Sequence, residues 1–192
     1  MISDMYKSEK KLTEKKLTSE DIFRGKIIKL QLDTVELPNG KSASREIVRH
    51  NGAVCIIPLT DTGEVVLERQ YRYANDAVLL EIPAGKLDRA DEDPLEAAKR
   101  ELREETGAIA GKMTYLGIYM GSPAILDEKI YMYLAEDLSF GECDYDEDEF
   151  IVLEKIPLEK VVESVLAGEI PDGKTQTAVL RAYYMKQKEQ RK

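Results

Sequence analysis

Three glutamates, Glu101, Glu104 and Glu105, stand three and four residues apart inside RELREETG, which runs from Arg100 to Gly107. On a helix that spacing brings all of them to one side of a turn. Like charges held so close repel by roughly a few tenths of a kcal/mol per pair unless a cation lies between them. Carboxylates in this pattern suit a hard divalent ion, which prefers oxygen ligands. Histidine occurs once, at His50, which reads as structural, and the two cysteines, Cys55 and Cys143, are far apart in no metal-ligand spacing. A histidine metal site or a Ser-His-Asp triad therefore has almost nothing to be built from, and acid–base work falls to carboxylates.

The element that must carry the glutamates is well specified. Asp93 is a good N-cap, Pro94 suits the first helical position, and Glu96 is placed to complete a capping box. Leu95, Ala98 and Leu102 make an apolar stripe, and Gly107 is a natural stop. The spacing predicts a helix over 94–106, preceded by a loop opened by Pro83, Ala84 and Gly85.

Strand signals fill most of the remainder. FRGKIIKLQLDTVEL and SASREIVRH flank a turn at Pro38-Asn39-Gly40, and Asn-Gly is a strong hairpin signal. GAVCIIPLT, EVVLERQYR, VLLEIPAG, MTYLGIYMG, IYMYLAEDL and FIVLEKI read as further strands. Helices are predicted over 157–167, stopped by Gly168, and over 175–186. Residues 1–20, rich in lysine and glutamate, read as a mobile or loosely docked arm. Residues 21–50 read as an N-terminal antiparallel β segment and 51–192 as the main domain. Mixed strands with a few helices give an α/β sandwich around a mixed sheet.

The bulk properties set limits. The chain has 192 residues, 43% of them hydrophobic and 34% charged, enough for one domain with a real core. A net charge of -9 argues against a nucleic-acid partner. The N-terminus lacks the apolar run of a signal peptide, and no stretch is apolar enough to span a bilayer. With reduced thiols as the default, these features predict a cytoplasmic protein without a membrane partner.

These residues resemble a known signature. Gly85, Glu92, Arg100, Glu101, Leu102, Glu104, Glu105, Gly107 and Ala108 follow the Nudix hydrolase pattern, Gly-x5-Glu-x7-Arg-Glu-apolar-x-Glu-Glu-x-Gly-apolar, with one departure. Six residues rather than five separate Gly85 from Glu92, in the turn KLDRAD, so Asp91 could alternatively fill that spacing. Pro123, sixteen residues after Gly107, is similar to its counterpart in the ADP-ribose pyrophosphatases of that superfamily. LPNGKSASREIVRHNGAV, QYRYA, EIPAGKL and DEDEFI add to the likeness.

The resemblance implies a Nudix-type α/β/α sandwich and cleavage of ADP-ribose to AMP and ribose 5-phosphate. It implies Mg²⁺, with Mn²⁺ as a substitute, held by Glu101, Glu105, Glu104 and the carbonyl of Ala84, with Arg100 steadying the carboxylates. It also implies a general base on the late acidic loop at Glu147, with Glu149 as an accessory metal ligand; either could instead belong to an ordinary solvated loop. Asp144, Asp146 and Asp148 alternate as in a calcium loop, but the sixth position is Glu149 and the twelfth Lys155, which excludes that reading. Arg45, Glu46, Arg72, Glu81 and Glu128 are the implied substrate contacts, Ser122 and Pro123 shape a loop, and a homodimer through the N-terminal strands is expected. Two alternatives stay open: a hydrolase of another nucleotide-sugar such as GDP-mannose, and a sensor that binds ADP-ribose without cleaving it.

Overall fold

The structure is a computed structural model that describes residues 11–145 and 149–191. Its chain divides into two compact units, one comprising the described residues up to His50 with Ser122–Glu128, the other Asn51–Gly121 with the described residues from Lys129 on.

The first unit is an antiparallel sheet in the order β1 (Lys15–Arg24), β2 (Lys29–Glu36), β3 (Ser42–Arg49). Asn39-Gly40 makes the β2–β3 turn, with Gly40 at φ 80°, where a side chain would be strained. Ser122–Glu128 runs beside β3 through Val48 N–H to the Ile125 carbonyl (2.7 Å) and Asp127 N–H to the Val48 carbonyl (3.1 Å). Lys15–Glu20, read from the sequence as part of the arm, belong to β1 and lie along β2. Every side chain of β1 is exposed, so no apolar alternation announces it. Its support is the backbone ladder, a Ser19 hydroxyl bond to buried Asp33, and a Lys29–Asp21 ion pair at 2.9 Å.

In the second unit a four-stranded sheet runs β7 (Ala84–Lys86), β4 (Ala53–Pro58), β9 (Ile130–Phe140), β8 (Ala108–Tyr119), with β4 and β9 parallel. β4 is buried on both faces. Val54 and Ile56 pack with Ala98 and Leu102 of helix α1 (Pro94–Thr106), and Cys55 and Ile57 pack with α2 (Leu158–Leu166) and α3 (Gly173–Gln190). A three-stranded antiparallel sheet, β10 (Ile151–Pro157), β5 (Glu64–Arg72), β6 (Ala77–Glu81), supplies Val65 and Leu67 to the α2–α3 side. The mixed α/β architecture is the one expected.

Two further elements depart from the sequence reading. VLLEIPAG is not one strand: β6 ends at Glu81 and β7 starts at Ala84 in the other sheet. Pro83 has no N–H to continue a ladder, and the chain changes sheets there. Helix α3 begins earlier than predicted because Asp172 caps it, accepting from Thr175 N–H at 2.9 Å.

Candidate active site

Helix α1 covers the predicted span. The Asp93 carboxylate accepts from Leu95 N–H (2.9 Å), and Gly107 closes the helix at φ 66°. The expected capping box does not form: Asp93 caps Leu95 rather than Glu96, and the Glu96 carboxylate pairs with Lys99. Glu101 and Glu105 are buried, and Glu104 is half-buried.

The glutamates meet the turn that starts β7. The Glu105 carboxylate accepts from Ala84 N–H at 2.9 Å. Glu101 lies directly over Gly85: a Cβ on Gly85 would fall 1.9 Å from its carboxyl carbon. Any side chain at this position would push the Glu101 carboxylate aside, so the glycine serves close approach rather than a turn. Arg100 donates to Glu101 at 2.7 Å and to Glu104 at 3.1 Å, and its other nitrogen reaches Glu92 at 3.5 Å. Glu92 also accepts from Asp88 N–H at 2.7 Å, whereas Asp91 is exposed beside Arg89. Glu92, not Asp91, therefore joins the cluster, and the extra residue is absorbed in the turn before it.

Strand β5 contributes a residue that sequence reasoning missed. Glu68 stands opposite Glu81 in the β5–β6 register, is 0% exposed, and neither of its oxygens has a hydrogen-bond partner among the described residues. Its only sequence signal is a charge interrupting the apolar run Val65-Val66-Leu67. Lys174 was missed too: it is buried and donates to Glu81 and, at 3.0 Å, to Asp172. Arg72 forks onto Glu81 through Nε (2.8 Å) and Nη2 (2.9 Å). Glu81 is therefore engaged by Arg72 and Lys174. Burial would raise its pKa, but the bonds and charges of those two cations outweigh it and hold the carboxyl below its ordinary value.

The electrostatics show what the cluster lacks. Burial pushes Glu101 up to about 7, opposed by Arg100 and reinforced by Glu104 and Glu149. Glu68 and Glu105 are both pushed up by burial; for Glu68 the charges of Arg72 and Lys174 oppose it and Glu81 and Glu149 reinforce it, and for Glu105 the charges of Glu68 and Glu101 reinforce it. Tyr145, on the loop after β9, is also in electrostatic reach of Glu68 and Glu105. That loop is tied to α1 through Gly141 N–H to the Gly107 carbonyl (2.7 Å) and Asp144 N–H to the Glu104 carbonyl (2.9 Å). Glu147, the expected base, lies outside the described residues.

Among the described residues no group of three or more His, Cys, Asp or Glu side chains is arranged to hold a metal ion; Glu101 and Glu104 are drawn to Arg100 instead. The donor set still fits a hard divalent cation. All of it is oxygen, Glu101 and Glu105 are buried among like charges with Arg100 bonded to Glu101 alone of the two, and Glu68 has two orphaned oxygens.

Arg45, Glu46 and Glu128 belong to the first unit, whereas the carboxylate cluster belongs to the second. Arg45 binds Glu14, Glu46 is exposed on β3, and Glu128 meets His50 Nδ1 at 3.2 Å. Cys55 and Cys143 are free, and burial pushes the Cys55 thiol up to about 12.

Comparison with known proteins agrees with this geometry. The family model described as NUDIX domain matches residues 49–178, and that described as nucleoside diphosphate sugar hydrolase N-terminal domain matches 14–48. An ADP-ribose pyrophosphatase of Bacillus subtilis (strain 168) is 43% identical over 172 residues, 88% of this chain and 92% of its own. A methanol dehydrogenase activator of Bacillus methanolicus is 44% identical, over 86% and 90%. A GDP-mannose pyrophosphatase of an Enterobacter species is more distant, 33% identical over 67% of this chain and 75% of its own. A crystal structure of an ADP compounds hydrolase superposes with a TM-score of 0.83 at 24% identity, covering 95% of this chain and 98% of that one, and so shares the fold.

Proposed function

The chain belongs to the Nudix family and is a Nudix pyrophosphatase, and from that premise we propose that it hydrolyses ADP-ribose and related ADP-linked compounds, releasing AMP and, from ADP-ribose, ribose 5-phosphate. The observation that carries this reading is the set of buried carboxylates where α1 meets the Ala84–Gly85 turn. The 43% identity to an ADP-ribose pyrophosphatase, extending over both family-model regions, supports the substrate class.

Glu101, Glu105 and Glu104, with the Ala84 carbonyl and Glu149, would hold Mg²⁺ or Mn²⁺. Such an ion, when bound, neutralises pyrophosphate charge and lowers the pKa of a coordinated water. Arg100 keeps Glu101 and Glu104 in place through its bonds to both. The fork from Arg72 to Glu81, backed by Lys174, fixes the guanidinium so that it can orient a phosphate. Glu147 takes the proton of the attacking water. Arg45, Glu46 and Glu128 serve the adenosine and terminal ribose ends.

Among the described residues no helix is long and apolar enough to cross a membrane. The protein works in the cytoplasm as a homodimer built on the N-terminal β segment.

Incubation with ADP-ribose and Mg²⁺ should yield AMP, and a higher kcat/KM for ADP-ribose than for GDP-mannose is expected. No turnover of any ADP-linked compound would overturn the substrate reading. Tight ADP-ribose binding without hydrolysis would turn the protein into a sensor.

A further inference from the structure

We propose that Glu68, on strand β5 and outside the acidic helix, is an additional carboxylate facing the divalent cation. The inference rests on the reading of Glu101 and Glu105 as the cation's ligands.

Glu68 is 0% exposed, and neither carboxylate oxygen finds a hydrogen-bond donor among the described residues. A buried carboxylate without a hydrogen-bond partner is strongly disfavoured, so the working protein must give it a positive charge or a proton. The protein's own cations nearby are committed. Arg72 spends Nε and Nη2 on Glu81, and Lys174 binds Glu81 and Asp172. Their charges favour an ionised Glu68 from nearby, but their bonds go to those two carboxylates, and burial of Glu68 outweighs them.

Its position points it at the helix site. Glu68 is registered opposite Glu81, two residues before the Pro83 turn whose next residue, Ala84, donates to Glu105. The charges of Glu68, Glu105 and Glu149 act on one another. An oxygen-only site that takes its carboxylates from both α1 and β5 matches a cation with six or more oxygen ligands. Glu68 would add negative charge from β5 and raise the affinity for the ion.

Mn²⁺ titration followed by electron paramagnetic resonance tests this on the full chain at pH 7.5, with melting curves in EDTA alongside. Glu68→Gln should melt in EDTA no lower than the parent and should bind Mn²⁺ about tenfold more weakly, the scale of loss seen for residues that support metal ligands. Glu68→Asp, which keeps the charge, should retain part of the affinity. Undiminished Mn²⁺ affinity in Glu68→Gln, with affinity lost in Glu105→Gln, overturns the role of Glu68 and leaves the helix site intact. A Glu68→Gln protein that melts well below the parent in EDTA would identify Glu68 as a protonated packing group and overturn it as well. Undiminished affinity in Glu105→Gln would bring down the underlying metal assignment itself.

Discussion

Glu101 and Glu105 are buried carboxylates that repel one another, and each is expected to respond to the loss of its charge in a definite direction. Glu105→Gln should remove most of the metal-dependent rate while the fold survives, because the amide keeps its size and relieves repulsion; unchanged kcat in that variant would reject the cluster. The acidic loop separates by substitution as well. Glu147→Gln should cost more in kcat than Glu149→Gln if Glu147 is the base. Gly85 gives a finer probe. An alanine methyl there would displace only the end of the Glu101 side chain, from contacts of 1.9 to 2.2 Å. Stability should barely move, whereas a carboxylate shifted by about 1 Å should cost about 10²-fold in kcat/KM. Protonation supplies the last test at this scale. The Glu101 pKa of about 7 lies above its ordinary 4.5. The native state therefore holds that proton more tightly than the unfolded chain does. The resulting stability is full below about pH 4.5 and is lost as pH rises through about 7. In EDTA the melting temperature should fall across that window, and the increment on adding Mg²⁺ should grow across it. A flat Mg²⁺ increment would contradict the assignment.

The elements that hold these residues are joined end to end. Helix α1 begins at a side-chain cap and ends at Gly107, whose carbonyl receives Gly141 N–H and so anchors the loop that carries Tyr145 and Glu149. A methyl at Gly107 would strain a φ of 66° and approach the Gly141 carbonyl oxygen to 2.4 Å. Gly107→Ala should cost more than about 1 kcal/mol, lower the melting temperature by about 2–4 °C or more, and reduce kcat by loosening the loop. Asp93→Ala, at the other end, should cost about 1 kcal/mol with a smaller effect on kcat, because the cap supports the helix without touching the cluster. The strand-to-strand break at Pro83 is the third joint. It lets β6 present Glu81 to Arg72 in one sheet while β7 presents Ala84 to Glu105 in the other.

At the scale of the molecule, β1 is an edge strand whose side chains are all exposed, and Leu17, Ile22, Phe23, Ile27 and Ile28 leave apolar surface on the same unit. Exposed apolar surface on an open edge favours association with a like copy. Light scattering should find a dimer, and Ile22→Asp with Phe23→Asp should shift it toward the monomer. A wild-type monomer at working concentration would reject the arrangement. The net charge of -9 would by itself repel an anionic substrate, so a cation at the carboxylates has to offset it locally.

By itself the sequence determined helix α1, its cap, its stop and the run of carboxylates it carries. Capping, proline placement, glycine termination and i, i+4 spacing all act within a few residues of one another. It also determined most strands through apolar runs, but not β1, which buries no side chain. Only the tertiary structure decided that Glu92 rather than Asp91 joins Arg100, that VLLEIPAG divides between two sheets, and that Glu81 belongs to Arg72 and Lys174. Glu68 is the clearest case. Its sequence neighbourhood is an ordinary strand, and its meaning comes from the register opposite Glu81 and from α1, a helix that begins only at Pro94. Burial and charge neighbourhood are long-range properties, set by which strands and helices meet.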